Sequence, residues 1–180
     1  MGSSAWDARV PYQDEIGAAL KQARQNAYDQ GDFYRVSSAD MARSMSEEDY
    51  LAWGVAQLKA VFPDDDTWQP TGQEHRDEWR AAQVVVSGPD SLLESQPFSG
   101  THSVIDMTHV ADEPDYSAAA PPPAEYLREL FGTTEPSVAE IEAAINEHRL
   151  HGFGRGHGMY LIGYEEGKPK EIFFVGHSGD

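Results

Sequence analysis

The last part of the chain, residues 148–180, constrains the fold more than any other. Its sequence is HRLHGFGRGHGMYLIGYEEGKPKEIFFVGHSGD. It holds the densest apolar run, the densest glycine and four of the seven histidines. Two apolar segments, 159–164 and 171–175, flank Glu165-Glu166-Gly167-Lys168, a pattern that predicts a β-hairpin. Neither face of these runs is polar, so both should be covered. Side chains alternate along a strand, so Met159, Leu161 and Gly163 share one face and Tyr160, Ile162 and Tyr164 the other. The rest of the chain is expected to pack onto this hairpin, with Ile162 and Phe174 buried.

At 180 residues the chain can bury a sizeable core and is expected to form one domain over residues 1–180. There is no cysteine, which excludes disulfides, thiolate metal sites and a cysteine nucleophile. No apolar stretch is long enough to cross a bilayer. The opening residues lack a basic region followed by an apolar core, so no secretory leader is expected. A cytoplasmic protein is the expectation. Asp and Glu number 31 against 13 Lys and Arg, a formal net charge of −18. Phosphate backbones and anionic membranes would repel such a surface, so neither nucleic acid nor membrane is an expected partner. A basic protein partner fits better.

Residues 14–30 place Ile16, Ala19, Leu20, Ala23 and Ala27 at helical spacing. Ser46 caps a second helix that Pro63 stops, and its expected buried stripe is Leu51, Val55, Leu58 and Phe62. Residues 74–82 read as a polar helix with Trp79 inward, and 90–94 as a helical turn. The three valines of 84–86 favour a strand. Residues 101–110 also read as a strand, with His102, Val104 and Asp106 on one face. Residues 112–123 read as a surface, linker-like segment, because three alanines followed by three prolines favour extended polyproline geometry. Helices follow over 124–131 and, from the capping box Ser137-Val138-Ala139-Glu140, over 138–148. This order lacks the strand–helix alternation of a doubly wound sheet. It predicts an α+β fold, with a small, mainly antiparallel sheet that ends in the C-terminal β-hairpin and packs against several helices.

Two kinds of site suggest themselves. The first is acidic. Asp64, Asp65 and Asp66 precede Trp68, and Asp112, Glu113 and Asp115 precede Tyr116. Aromatic anchors inside a polar rim are what tight interfaces use. The spacing of the three aspartates is not that of a calcium-binding EF-hand loop. The second is a histidine constellation. His102, Asp106, His157 and His177 could perform acid–base chemistry if they converge, since a histidine oriented by an aspartate is the usual general base. Arg155 would hold an anionic group, with Tyr160 as a further binding or nucleophilic residue. The glycine run over 152–158 lacks the G-x-x-x-x-G-K-[ST] pattern of a phosphate cradle. His148 and His151 are three residues apart near a helix end, yet no HExxH occurs and the helix dipole alone favours imidazole there. Neither a bound metal nor a cofactor is expected.

The pieces SGTHSVIDMTHV, LRELFGTTEPS and GRGHGMYLIGYEEGKPKEIFFVGHSGD resemble a family of small acidic actinobacterial proteins with no assigned function. The likeness covers about residues 100–180. It implies a compact bacterial cytoplasmic protein and transfers no catalytic residue. Small, acidic, cysteine-free immunity proteins that neutralise toxins share this general character. The expected function is therefore a cytoplasmic acidic binding or inhibitor protein, immunity-like, for a more basic protein partner. The alternative is a small metal-independent enzyme that uses histidine acid–base chemistry on an anionic small molecule.

Overall fold

The structure, a computed structural model, describes residues 4–63, 72–150 and 152–178. In chain order the described elements are β1 (Ala5–Pro11), α1 (Ile16–Gln30), α2 (Ser37–Ser44), α3 (Glu47–Val61), α4 (Gly72–Ala82) and α5 (Pro89–Ser95). A 3₁₀ turn follows at Val104–Asp106, then β2 (His109–Val110), β3 (Ala118–Ala120), α6 (Ala124–Phe131), α7 (Val138–Asn146), β4 (Gly158–Glu165) and β5 (Lys168–His177). The fold is α+β. The chain divides into two compact units, residues 1–34 with 100–180, and residues 35–99.

The first unit is built on a sheet of strand order β1-β5-β4-β3-β2. The hairpin lies inside it: β4 and β5 are antiparallel, with Leu161 opposite Phe173 and Tyr160 opposite Phe174. β1 adds to β5, also antiparallel. β3 joins β4 in parallel, and β2 joins β3 in parallel. The sheet is therefore mixed, not mainly antiparallel as expected. The reason is the connection that leads into the hairpin. Residues 121–157 carry two helices between β3 and β4, and such a crossover returns the chain in the same direction.

Each face of the sheet is covered. Met159, Leu161, Phe173 and Val175 form one core cluster with Ile141 of α7, and Tyr126, Leu127 and Phe131 of α6 pack against it. The opposite face carries Phe174, Ile172 and Val10, all buried, and lies towards α1, which contacts β1, β5 and β2. Ile162, expected to be buried, is only half-buried, whereas Phe174 is fully buried. Gly158 and Gly176 face each other across the hairpin. A Cβ on Gly176 would run into the indole of Trp6, and one on Gly158 would sit 2.6 Å from Met107 Sδ. These two glycines thus make room for the large side chains on that face.

Three expected elements differ. Residues 101–110 are not one strand; only His109–Val110 pairs. The Asp106 carboxylate accepts from Thr101 N–H (2.6 Å) and from the Thr101 hydroxyl (2.8 Å). Ser103 Oγ accepts from Ile105 N–H (3.2 Å). Such local side-chain bonds give the backbone an alternative to a ladder. Residues 112–123 are not simply a surface linker, because Ala118–Ala120 is a fully buried strand between β4 and β2. Residues 84–86 form no strand, and Val85 is 84% exposed. β-branched residues favour a strand only where a partner strand accepts them.

The second unit packs α2, α3 and α4 around Ala39, Ala42, Tyr50 and Ala82, with Trp53 and Trp79 half-buried beside them. Trp79 Nε1–H donates to Met45 O (3.1 Å). Ser46 caps α3 by accepting from Asp49 N–H (3.2 Å). The buried face of α3 is not the expected stripe. Tyr50 and Gly54 are buried, while Val55 and Phe62 are 39% and 48% exposed.

Candidate functional site

β1 is an edge strand, and two clefts border its first residues. One, of about 220 Å³, is lined by Ala5, Asp7, Ile145, His148, Leu150 and His177, among others. The other, of about 200 Å³, is lined by Ala5, Asp7, Ala27, Asp32, His102 and Ser103, with neighbours. Asp7 borders both. Its pKa is raised above the ordinary carboxylate value, first by partial burial and then by the Asp32 carboxylate, while Arg9 opposes the rise. His148 and His102, one in each cleft, both hold positive φ, 53° and 52°. Non-glycine residues rarely adopt this conformation, and where they do it often marks a functional position. The His102 ring stacks on Tyr34, 4.7 Å between centroids.

The expected histidine constellation is divided among separate places. His102 and His177 line different clefts. Asp106 bonds to Thr101 in the turn after His102. His157 Nδ1 lies 2.8 Å from Arg155 O, and its ring meets Tyr116 edge-on, with centroids 6.2 Å apart. Arg155 is brought beside His177 through its backbone, in a single parallel bridge. Among the described residues, no group of three or more histidine, aspartate or glutamate side chains is arranged to hold a metal ion.

The acidic residues fare differently. Asp64, Asp65, Asp66 and Trp68 lie outside the described residues. Asp112, Glu113 and Asp115 are exposed on the loop between β2 and β3, and Tyr116 beside them is 65% exposed. The base of this loop is fixed: Ser117 N–H donates to Gly156 O (2.8 Å), and Gly156 N–H donates to His177 O (3.0 Å). Gly156 has a positive φ of 74°, and a Cβ there would run into the Tyr116 ring. The glycine-rich entry to the hairpin therefore seats the exposed tyrosine. Burial raises the Tyr160 phenol above its ordinary pKa, and the Asp112 carboxylate adds to the rise, so these two residues share one electrostatic neighbourhood.

Asp7, Asp32 and the β1 edge are absent from the site residues that sequence reasoning selects. A signal for the strand is present, because Trp6, Ala8 and Val10 alternate with Asp7 and Arg9 at the period of a strand. Nothing local shows that this strand is an edge. No family model matches the chain, and no curated protein or solved structure matches it significantly. No helix among the described residues is long and apolar enough to cross a membrane.

Proposed function

We propose that this chain is a cytoplasmic acidic binding or inhibitor protein that docks on a more basic protein partner. The observation that carries the reading is the loop at Asp112, Glu113, Asp115 and Tyr116. It sets one exposed aromatic ring within three exposed carboxylates, on a base held by backbone hydrogen bonds. A pre-ordered aromatic anchor spends little conformational entropy on binding. The net charge of −18 steers encounter with a cationic surface. The competing acid–base reading needs His102 and His177 in one cleft, and they line two.

The test is capture from the native host at low and moderate salt, followed by identification and purification of what is retained. A basic protein whose affinity falls as salt rises is the expected result. Tyr116→Ala should weaken it by at least 2 kcal/mol if the ring is the anchor, on the order of a 30-fold change in Kd. Binding that is indifferent to salt, to Tyr116→Ala and to Asp112→Asn would defeat the proposal.

A further inference from the structure

The two edges of the sheet are unlike. β2 is two residues long, while β1 presents seven. Very short edge strands protect a sheet from pairing with another chain, and long ones invite it. The direction of the β1 backbone groups follows from its neighbours. Ser178 N–H donates to Ser4 O (3.0 Å), and Tyr12 N–H donates to Lys170 O (2.9 Å). Even-numbered residues therefore form the bonded pairs with β5. By the alternation of an antiparallel ladder, the N–H and C=O groups of Ala5, Asp7 and Arg9 point outward. Among the described residues these groups have no backbone partner. Pro11 belongs to the same outward set, so its missing N–H removes no bond to β5, and it closes the usable edge at that end.

The clefts add specificity to this edge. A strand laid along Ala5–Asp7 would send successive side chains to opposite faces of the sheet. On one face lies the cleft with Ile145, Leu150 and Val175 at its apolar side. On the other lies the cleft that Asp32 and His102 line; Asp7, opposite Val175, projects to the first face at the sheet edge and borders both clefts. The nearest cation on the strand, Arg9, is already engaged by Glu142 and by Glu171 (3.8 Å). The Ala5–Asp7 end is thus acidic, with an apolar recess beside Asp7 and Asp32 on the other face.

We infer that the outer edge of β1 accepts an extended segment of a basic partner as an added strand, with an apolar side chain entering the His148 and His177 cleft, a neighbouring lysine or arginine reaching Asp32 on the other face, and Asp7 at the edge between the two clefts adding to the attraction. The inference rests on the reading of this protein as a binder of a basic partner. Main-chain bonds would supply affinity and the two clefts the choice of side chains.

The test uses the full chain and three synthetic peptides of about seven residues: one alternating lysine with valine, one with glutamate for lysine, and one with a central proline. The lysine peptide should slow amide exchange at Ala5, Asp7 and Arg9 by ~10-fold or more, and leave Trp6, Ala8 and Val10, already bonded to β5, unchanged. Ala5→Pro removes an outward donor without touching the β5 ladder and should weaken the peptide by about 10-fold. Asp7→Asn should weaken it too, most at low salt. The glutamate and proline peptides should not bind. Should Ala5→Pro impair folding, Asp7→Asn and the exchange pattern decide alone. No binding of the lysine peptide, or binding that leaves the three outward amides unprotected, overturns the edge site. A natural partner that depends on Tyr116 but leaves those amides unprotected also overturns it, while sparing the acidic-loop reading. Protected edge amides with a natural partner indifferent to Tyr116→Ala would do the reverse.

Discussion

The two units bury their apolar surface in different ways. In residues 1–34 with 100–180 the largest fully buried side chains include Phe173, Phe174, Ile172, Met159, Leu20 and Ile105. In residues 35–99 the core cluster is three alanines and one tyrosine, Leu92 is buried apart from it, and Val55, Val61, Phe62, Val85 and Phe98 remain exposed. A buried phenylalanine removes far more apolar area from water than a buried alanine, roughly 1.5–3 kcal/mol for the larger side chain. A sheet covered on both faces gives large side chains two layers to fill. Short helices joined through alanines bring backbones close but bury less per residue. The second unit should open at lower free energy than the first, so its amides in α2 to α4 should exchange faster than those of β4 and β5. Hydrogen exchange that showed both units protected alike would dissolve the contrast.

Substitutions can sharpen the same contrast. The largest effect is expected at the centre of the first unit, where Phe174→Ala should cost about 3–5 kcal/mol in urea unfolding. Next come two buried glycines, one from each unit. Gly176→Ala drives a methyl group into Trp6 and to 2.8 Å from the His157 carbonyl oxygen, which is backbone and cannot swing away. It should cost about 1–3 kcal/mol. Gly54→Ala places its methyl 2.6 Å from His75 Cδ2, part of a half-buried side chain, within a helix that gains from alanine by about 1 kcal/mol. Its net cost should be clearly the smaller, and a larger loss at Gly54 than at Gly176 would reverse the comparison.

The caps give a finer pair. Ser137 and Glu140 form a reciprocal capping box at α7, with Glu140 Oε2 accepting from Ser137 N–H at 2.7 Å. Ser137→Ala should cost about 0.5–2 kcal/mol. Ser46→Ala removes the bond from Asp49 N–H and the hydroxyl's own bond to the Asp49 carboxylate (2.7 Å), and should cost within the same range.

The smallest effects are in pH dependence, and the two carboxylates differ in sign. The Glu140 pKa is lowered, chiefly by the Ser137 backbone bond. Its stabilisation is present above the unfolded carboxylate pKa and is lost as pH falls through the folded value. Asp7 is raised, so the folded state loses stability as pH rises from the unfolded to the folded pKa. Asp7→Asn should therefore gain stability relative to the parent at neutral pH, and the gain should vanish in acid. Glu140→Gln should lose stability at neutral pH, with the loss shrinking in acid. Urea midpoints measured between pH 3 and 7 would check both, and equal slopes for the two variants would contradict the assignment.

What the amino-acid sequence determined by itself is what its residues settle within a few positions. The Ser46 and Ser137 caps, the Gly31 end of α1 and the turn of the hairpin are all of this kind. Their hydrogen bonds close over three or four residues, so local chemistry sets their free energy. The tertiary structure decided the rest. β1 pairs with β5 across 160 residues or more, with Ala5 opposite His177, and becomes an edge only because no described strand lies beyond it. Ala118–Ala120 becomes a buried strand because β4 and β2 flank it, while the three valines of 84–86 find no partner strand among the described residues. The acids of the 112–116 loop were legible as acids, but their ordered base depends on Gly156 and His177 from the far end of the chain. Asp7 joins His148 and His177 in one cleft only through the β1–β5 register. A strand's propensity is realised, and a cleft assembled, only where distant segments supply the other side.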